Sequence, residues 1–188
     1  LMITSAQFNG IWKTEAYGLC LNARLGVVQV YAVTEKSYTR MDNYDGVIIN
    51  GTFYSGMGKF ELDRSGKVLK LVDNGTGYVY SADRQPKGYF YDLHEVIKGD
   101  LAGKFRMFYE ELKENYAFAD MYGADFDEEY SRYAPLVDSQ TADETLYGYM
   151  CSMVEKLDDG HVEISWNDKT YTPSDYKPVW FKDHAQAL

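Results

Sequence analysis

Six glycine-ended turn signals punctuate the first 75 residues: Asn9-Gly10, Leu25-Gly26, Asp45-Gly46, Asn50-Gly51, Ser65-Gly66 and Asn74-Gly75. Glycine adopts left-handed backbone at no Cβ cost, and Asn or Asp can hydrogen-bond its own backbone two residues on, so each pair breaks a helix or a long strand. The segments between them, 12–17, 27–34, 47–49, 59–62 and 67–72, are rich in β-branched and aromatic residues. Such segments prefer strands. Residues 63–66 lie between two of them as a hairpin loop. Chain punctuated this often folds back on itself in short strands, and a small antiparallel β-barrel or sandwich is predicted.

The pattern changes near residue 88. Pro86-Lys87-Gly88 interrupts the strand rhythm, with Tyr89-Phe90-Tyr91 beyond it as a last strand or a hinge. Residues 1–85 carry a net charge of +1 and residues 86–188 a net of −11. The fold class expected is α+β, with a β accessory domain over 1–88 and a helical unit over 89–188. An acidic second half offers no face for counterion release, which excludes nucleic acid as a partner. No apolar run approaches the roughly 20 residues of a membrane span, so no transmembrane segment is expected. The first residues also lack the basic and apolar pattern of a secretory leader. Cys20 and Cys151 fall in different units and form neither a disulfide framework nor a zinc spacing; both are read as buried apolar residues.

Two stretches imitate ligand loops and fail. Gly56-Met57-Gly58-Lys59 has Phe53 and Phe60 where a phosphate loop needs Gly and Ser/Thr. Asp42-Asn43-Tyr44-Asp45-Gly46 has Tyr44 and Phe53 at calcium-ligand positions. Asn50-Gly51-Thr52 and Asn74-Gly75-Thr76 match the glycosylation pattern but read first as turns. No cofactor or metal site is expected anywhere in the chain.

Beyond residue 100 the apolar period becomes helical. Phe105, Phe108, Tyr109, Leu112 and Tyr116 share one face. Asp125 and Glu128 suggest a capped helix start, with the acids of 125–129 favoured by the helix dipole. Thr141 and Glu144 form a Thr-x-x-Glu capping box, and Leu146, Tyr149, Met150, Met153 and Leu157 follow on one face. Three helices therefore lead into Asp158-Asp159-Gly160-His161. There Gly160 is expected to reverse the backbone through positive φ, with Asp158 and Asp159 bonding the turn. Val162, Ile164 and Trp166 then alternate with Glu163, Ser165 and Asn167 as a half-buried strand that His161 opens. A turn at Asn167-Asp168 follows. The aromatic run Val179-Trp180-Phe181 reads as a strand whose partner belongs to a further domain.

Phe108-Tyr109-Glu110-Glu111-Leu112 with Asn115-Tyr116, Asp125-Phe126-Asp127 with Tyr130 and Tyr133, residues 141–146, and residues 157–162 together resemble the N-terminal helical region of the tail-specific, or C-terminal-processing, serine peptidases in their tricorn-like branch. The resemblance covers about residues 104–166. It implies a protein or peptide substrate, no metal or organic cofactor, an extracytoplasmic (periplasmic, secreted or surface-anchored) setting, and His161 as the catalytic histidine. The nucleophilic serine would come from a larger downstream catalytic domain. No Gly-x-Ser-x-Gly elbow occurs in this chain, and neither His94 nor His184 has ligand spacing, so these 188 residues alone are expected to be inactive. Gly10-Ile11-Trp12 resembles the opening of lipocalin-like barrels, where a Trp plugs one end. The alternative reading it supports is a stand-alone binding module for a small apolar ligand.

Overall fold

The computed structural model describes residues 5–174. Two compact units divide the chain, Leu1–Ile97 and Lys98–Leu188.

The first unit is an eight-stranded antiparallel barrel. Its strands are β1 (Gly10–Thr14), β2 (Leu19–Arg24), β3 (Val27–Val33), β5 (Gly46–Ile49), β6 (Thr52–Ser55), β7 (Gly58–Ser65), β8 (Val68–Asp73) and β9 (Val79–Gln85). They follow the order β3-β2-β1-β9-β8-β7-β6-β5, and β5 pairs back onto β3 through Val27↔Val47 and Val28↔Gly46. Closure settles the choice between barrel and sandwich, and it removes the exposed edges of an open sheet. Two short strands sit outside the ring. β4 (Ser37–Arg40) pairs with the far half of β3, and β10 (His94–Glu95) runs parallel to β4.

Where β3 parts from β4 to meet β5, the Asp45 carboxylate accepts the Val30 N–H at 2.8 Å, and Arg40 holds its other oxygen at 2.5 Å. Asp45-Gly46 is thus not a turn but the splice between two ladders. A Cβ on Gly46 would lie 1.9 Å from the Tyr54 carbonyl oxygen, which is fixed backbone of the neighbouring strand. Gly46→Ala is expected to destabilise the barrel by about 1–3 kcal/mol, the range of overpacked interiors. An unchanged urea midpoint would show that β5 and β6 part easily.

Leu25-Gly26 (φ 52 and 82) and Asn50-Gly51 (φ 52 and 86) are two-residue loops that suit strand twist, and Asn74-Gly75 lies in the turn that joins β8 to β9. The third hairpin differs from the expected loop at 63–66. β7 continues through Ser65, and Gly66 (φ 60) with Lys67 makes the turn, so Ser65 faces Val68.

Trp12, Phe8, Val30, Phe53 and Leu71 belong to the core packed inside the barrel, where a space of about 10 Å³ remains beside Trp12 and Phe8. That is room for no more than about one water. A short 3-10 turn, Ser5–Phe8, closes one end: Trp12 Nε1 donates to the Phe8 carbonyl at 2.8 Å. The guanidinium groups of Arg84 and Arg64 lie 5.3 and 5.4 Å from the Trp12 ring. On the outside of β1–β3 a second cluster buries Ile11, Cys20 and Val33 under Tyr31, Tyr38, Tyr89 and Phe90. Tyr89-Phe90-Tyr91 is therefore a turn and not a last strand; the strand comes later, at β10. Tyr89 and Phe90 cover this face, while Val96 N donates to Tyr38 O and Thr39 Oγ1 to Val96 O.

The second unit holds α1 (Leu101–Asn115), α2 (Ala119–Tyr122), α3 (Phe126–Tyr133) and α4 (Asp143–Val154), then a hairpin of β11 (Ile164–Trp166) and β12 (Lys169–Tyr171). Asp100 caps α1 by accepting from Gly103 N, and Asp125 caps α3 by accepting from Glu128 N at 3.0 Å. The faces read from the sequence meet. Phe105, Leu146 and Met153 form one core with Phe108, Tyr130 and Tyr149 against it; Phe126, Val154 and Leu157 form another that reaches Tyr116 and Val162. The cap expected of Thr141 is absent. α4 starts after Ala142 with no side-chain cap, because Thr141 Oγ1 accepts the Asp138 N–H at 2.9 Å in the preceding turn and Glu144 pairs with Lys169. Among the described residues no helix is long and apolar enough to cross a membrane. Val179-Trp180-Phe181 and His184 lie outside the described residues.

Candidate functional site

α1 ends at Tyr116, whose ring packs on the Phe126 ring with centroids 6.2 Å apart. α4 passes through a 3-10 turn, Glu155–Leu157, into the segment of interest, with Leu157 fully buried as its anchor. The reversal falls at Asp158, at φ 35, not at Gly160 as expected; Gly160 is not among the positive-φ positions. Asp is one of the few side chains that tolerate this left-handed region. Ser174 Oγ donates to Asp158 Oδ1 at 2.6 Å, joining the turn to the chain beyond the hairpin.

Asp159 is the centre of the site. One carboxylate oxygen, Oδ2, accepts from the Tyr116 hydroxyl at 2.8 Å. The other, Oδ1, accepts from His161 N at 2.9 Å and lies 3.1 Å from His161 Nδ1. A carboxylate can only accept, so this contact places a proton on Nδ1 and leaves the Nε2 lone pair outward. The Asp159 side chain is 12% exposed and the imidazole 97% exposed. The His161 backbone N–H foremost, with the Tyr116 hydroxyl and the imidazole, holds the Asp159 carboxyl below its usual range. Burial, then the bond to Asp159, pushes the Tyr116 phenol up. His161 does not open a strand as expected. It belongs to the turn itself, and β11 begins only at Ile164, although the alternation of Val162, Ile164 and Trp166 with exposed Glu163 and Ser165 holds.

The hairpin that follows is held on α4. Tyr147 donates to the Ile164 carbonyl at 3.3 Å and packs on Trp166, and Lys169 pairs with Glu144. Asn167, at φ 54, makes the expected turn with Asp168. On the other side of Tyr116 lies an open cleft of about 570 Å³ between the end of α1, α2 and the start of α3. Leu112, Tyr116 and Phe126 give it apolar wall, and the Lys113–Asp127 ion pair at 2.8 Å gives it a charged rim.

Position and hydrogen bonding thus make Tyr116, Asp159 and His161 one chain of three groups. In the sequence Asp159 reads only as a turn residue and Tyr116 only as helix face. The usable signal is Asp-x-His: an Asp that accepts the N–H two residues on also brings that residue's ring to its carboxylate. Of the serines, Ser165 Oγ bonds Glu163 and Thr170, and Ser174 Oγ bonds Asp158; among the described residues no serine bonds the His161 ring. Burial raises the Cys20 thiol to about 12 and raises Cys151 as well, so neither is a thiolate at neutral pH.

Residues 100–151 match the family model described as the Tricorn protease C1 domain. The match runs from the cap of α1 into α4 and stops before the Asp158–His161 turn, so the similarity to that domain is confined to this stretch. No curated protein and no solved structure matches the chain.

Proposed function

We propose that the helical unit is the non-catalytic wall and histidine-bearing edge of a tail-specific-type serine peptidase acting on proteins or peptides. The observation that carries this reading is the Asp159–His161 pair. A half-buried carboxylate fixes Nδ1 of an exposed imidazole and leaves Nε2 outward, the arrangement in which an imidazole takes a proton from a hydroxyl nucleophile. The match of residues 100–151 to a tricorn protease domain supports a peptide substrate, and the cleft beside Tyr116 offers a place for one. In this reading His161 is the general base and Asp159 its positioning residue. The serine and the oxyanion donors come from polypeptide outside these 188 residues, and the setting is extracytoplasmic. The barrel of the first unit is an accessory, lipocalin-like module.

The test is hydrolysis of a denatured protein by two samples: the product of the full reading frame and the 188-residue chain. The first is expected to cleave, to lose cleavage on His161→Gln, and to label with a serine-directed fluorophosphonate. The 188-residue chain is expected to do none of these. Full-length protein that fails to cleave, or that cleaves equally well after His161→Gln, overturns the assignment.

A further inference from the structure

The barrel's second end is not plugged. Opposite Trp12, a half-open cavity of about 580 Å³ is lined by residues including Leu19, Met57, Phe60, Leu71, Asp73 and Tyr80. That volume lies within the range of small-molecule sites, and barrel mouths are a usual place for them. Buried Leu21 and Leu71 form its floor. Aromatic rings crowd the wall: Tyr80 meets Tyr17 at 5.7 Å, Tyr78 at 4.7 Å and Phe60 at 6.1 Å between centroids.

The strand register aligns the polar group with the rings. Phe60 faces Asp73 across β7 and β8, and Leu71 faces Tyr80 across β8 and β9, so these side chains share one inward side. Among the described residues, Asp73 is the sole charged one lining the cavity, and no Lys or Arg lines it. Its Oδ1 is occupied by Gly75 N at 2.8 Å, Thr76 N at 2.7 Å and Thr76 Oγ1 at 3.0 Å. Oδ2 accepts nothing among the described residues. It converges with the Phe60 ring over Gly58: a Cβ there would meet Oδ2 at 3.7 Å and the ring at 3.8 Å. Glycine leaves that spot open.

We propose that this mouth binds a small organic amine with an apolar body, its ammonium group seated over Gly58 between Asp73 Oδ2 and the rings of Phe60 and Tyr80. A carboxylate beside aromatic faces attracts a cation twice, by charge and by the ring quadrupole. A carboxylate ligand would meet Asp73 with no counter-charge. A neutral ligand would gain only from the apolar floor. The two N–H groups on Oδ1, with the Thr76 hydroxyl, hold the Asp73 carboxyl below its usual range, so it stays ionised at neutral pH.

The experiment is an NMR titration of the full chain with 2-phenylethylamine, 2-phenylethanol and 3-phenylpropionate, three probes of like shape and different charge. The amine is expected to shift resonances at the ends of β7, β8 and β9, and to bind at least about tenfold tighter than the other two. Asp73→Asn keeps an oxygen for the Gly75 and Thr76 N–H groups, so the turn survives, and amine affinity is expected to fall to the level of the alcohol. Tyr80→Leu keeps the apolar wall and is expected to weaken the amine while sparing the alcohol. Equal affinity for amine and alcohol, tighter binding of the acid, an unchanged affinity in Asp73→Asn, or no shift with any probe up to millimolar concentration overturns the proposal. It rests on the barrel alone, and the peptidase reading can fail without touching it.

Discussion

Trp12→Ala is expected to cost the barrel about 3–5 kcal/mol, the range for deleting a large buried aromatic. The side chain is fully buried at the plugged end and makes three kinds of contact there. Its ring fills the interior, its N–H satisfies the Phe8 carbonyl, and its faces receive Arg64 and Arg84. Alanine removes the ring, leaves a buried carbonyl without its donor, and strips two guanidinium groups of the surface they stack on. Against a typical domain stability of about 5–15 kcal/mol, that loss is a large fraction of the whole. Trp12→Phe separates the terms. It keeps a ring and loses the N–H, so about 1–3 kcal/mol of the loss is expected from the unsatisfied carbonyl and poorer fill. Urea unfolding followed by near-UV circular dichroism measures both. If Trp12→Ala shifts the midpoint no more than an exposed substitution such as Tyr91→Ala, the plug does not hold the barrel shut.

How much of this was legible follows from the range over which each cause acts. Leu25-Gly26 and Asn50-Gly51 are local, and both make the turns their residues demand. Asp45-Gly46 has the same composition but serves a non-local need. The carboxylate bonds Val30, and the missing side chain lets β5 lie against Tyr54. The strand Leu19–Arg24 escaped the sequence because both its faces are covered, Leu21 by the interior and Cys20 by Phe90 and its neighbours, which erases the polar alternation. Val79–Gln85 escaped for the opposite reason: Ser81, Asp83, Arg84 and Gln85 are poor strand formers, and pairing to β1 and β8 on both sides overrides them. In the helical unit the periodic faces were legible, since 3.6-residue spacing depends on near neighbours alone. The Thr141 cap failed because an equally local partner, Asp138, competes for the same hydroxyl. His161 could be singled out from the sequence. Its tie to Tyr116 could not, because 43 residues separate Tyr116 from Asp159.

With His161 as the general base proposed above, His161→Gln in the full reading-frame product is expected to lower kcat by about 10²–10⁴-fold, the usual contribution of such a group. Asp159→Asn is expected to lower it by on the order of 10²-fold. The asparagine oxygen can still accept from His161 N, and Tyr116 can rotate its hydroxyl to meet the amide. The turn then keeps its shape while the negative charge behind the imidazole is lost, and with it the stabilisation of the protonated ring during proton transfer. KM should change little where the two groups act on the proton transfer alone. A second readout tests Asp159 by its folding linkage. Its carboxyl titrates below the ordinary value of 3.8 in the folded chain, so its ionised form favours folding above about pH 4, and that contribution is lost as pH falls through the folded value. The stability gap between wild type and Asp159→Asn should therefore be full at pH 6 and shrink toward pH 3. A variant that narrows this gap yet leaves kcat intact would make Asp159 a turn residue only. One that loses kcat with KM unchanged would make it the group that sets the histidine for its reaction.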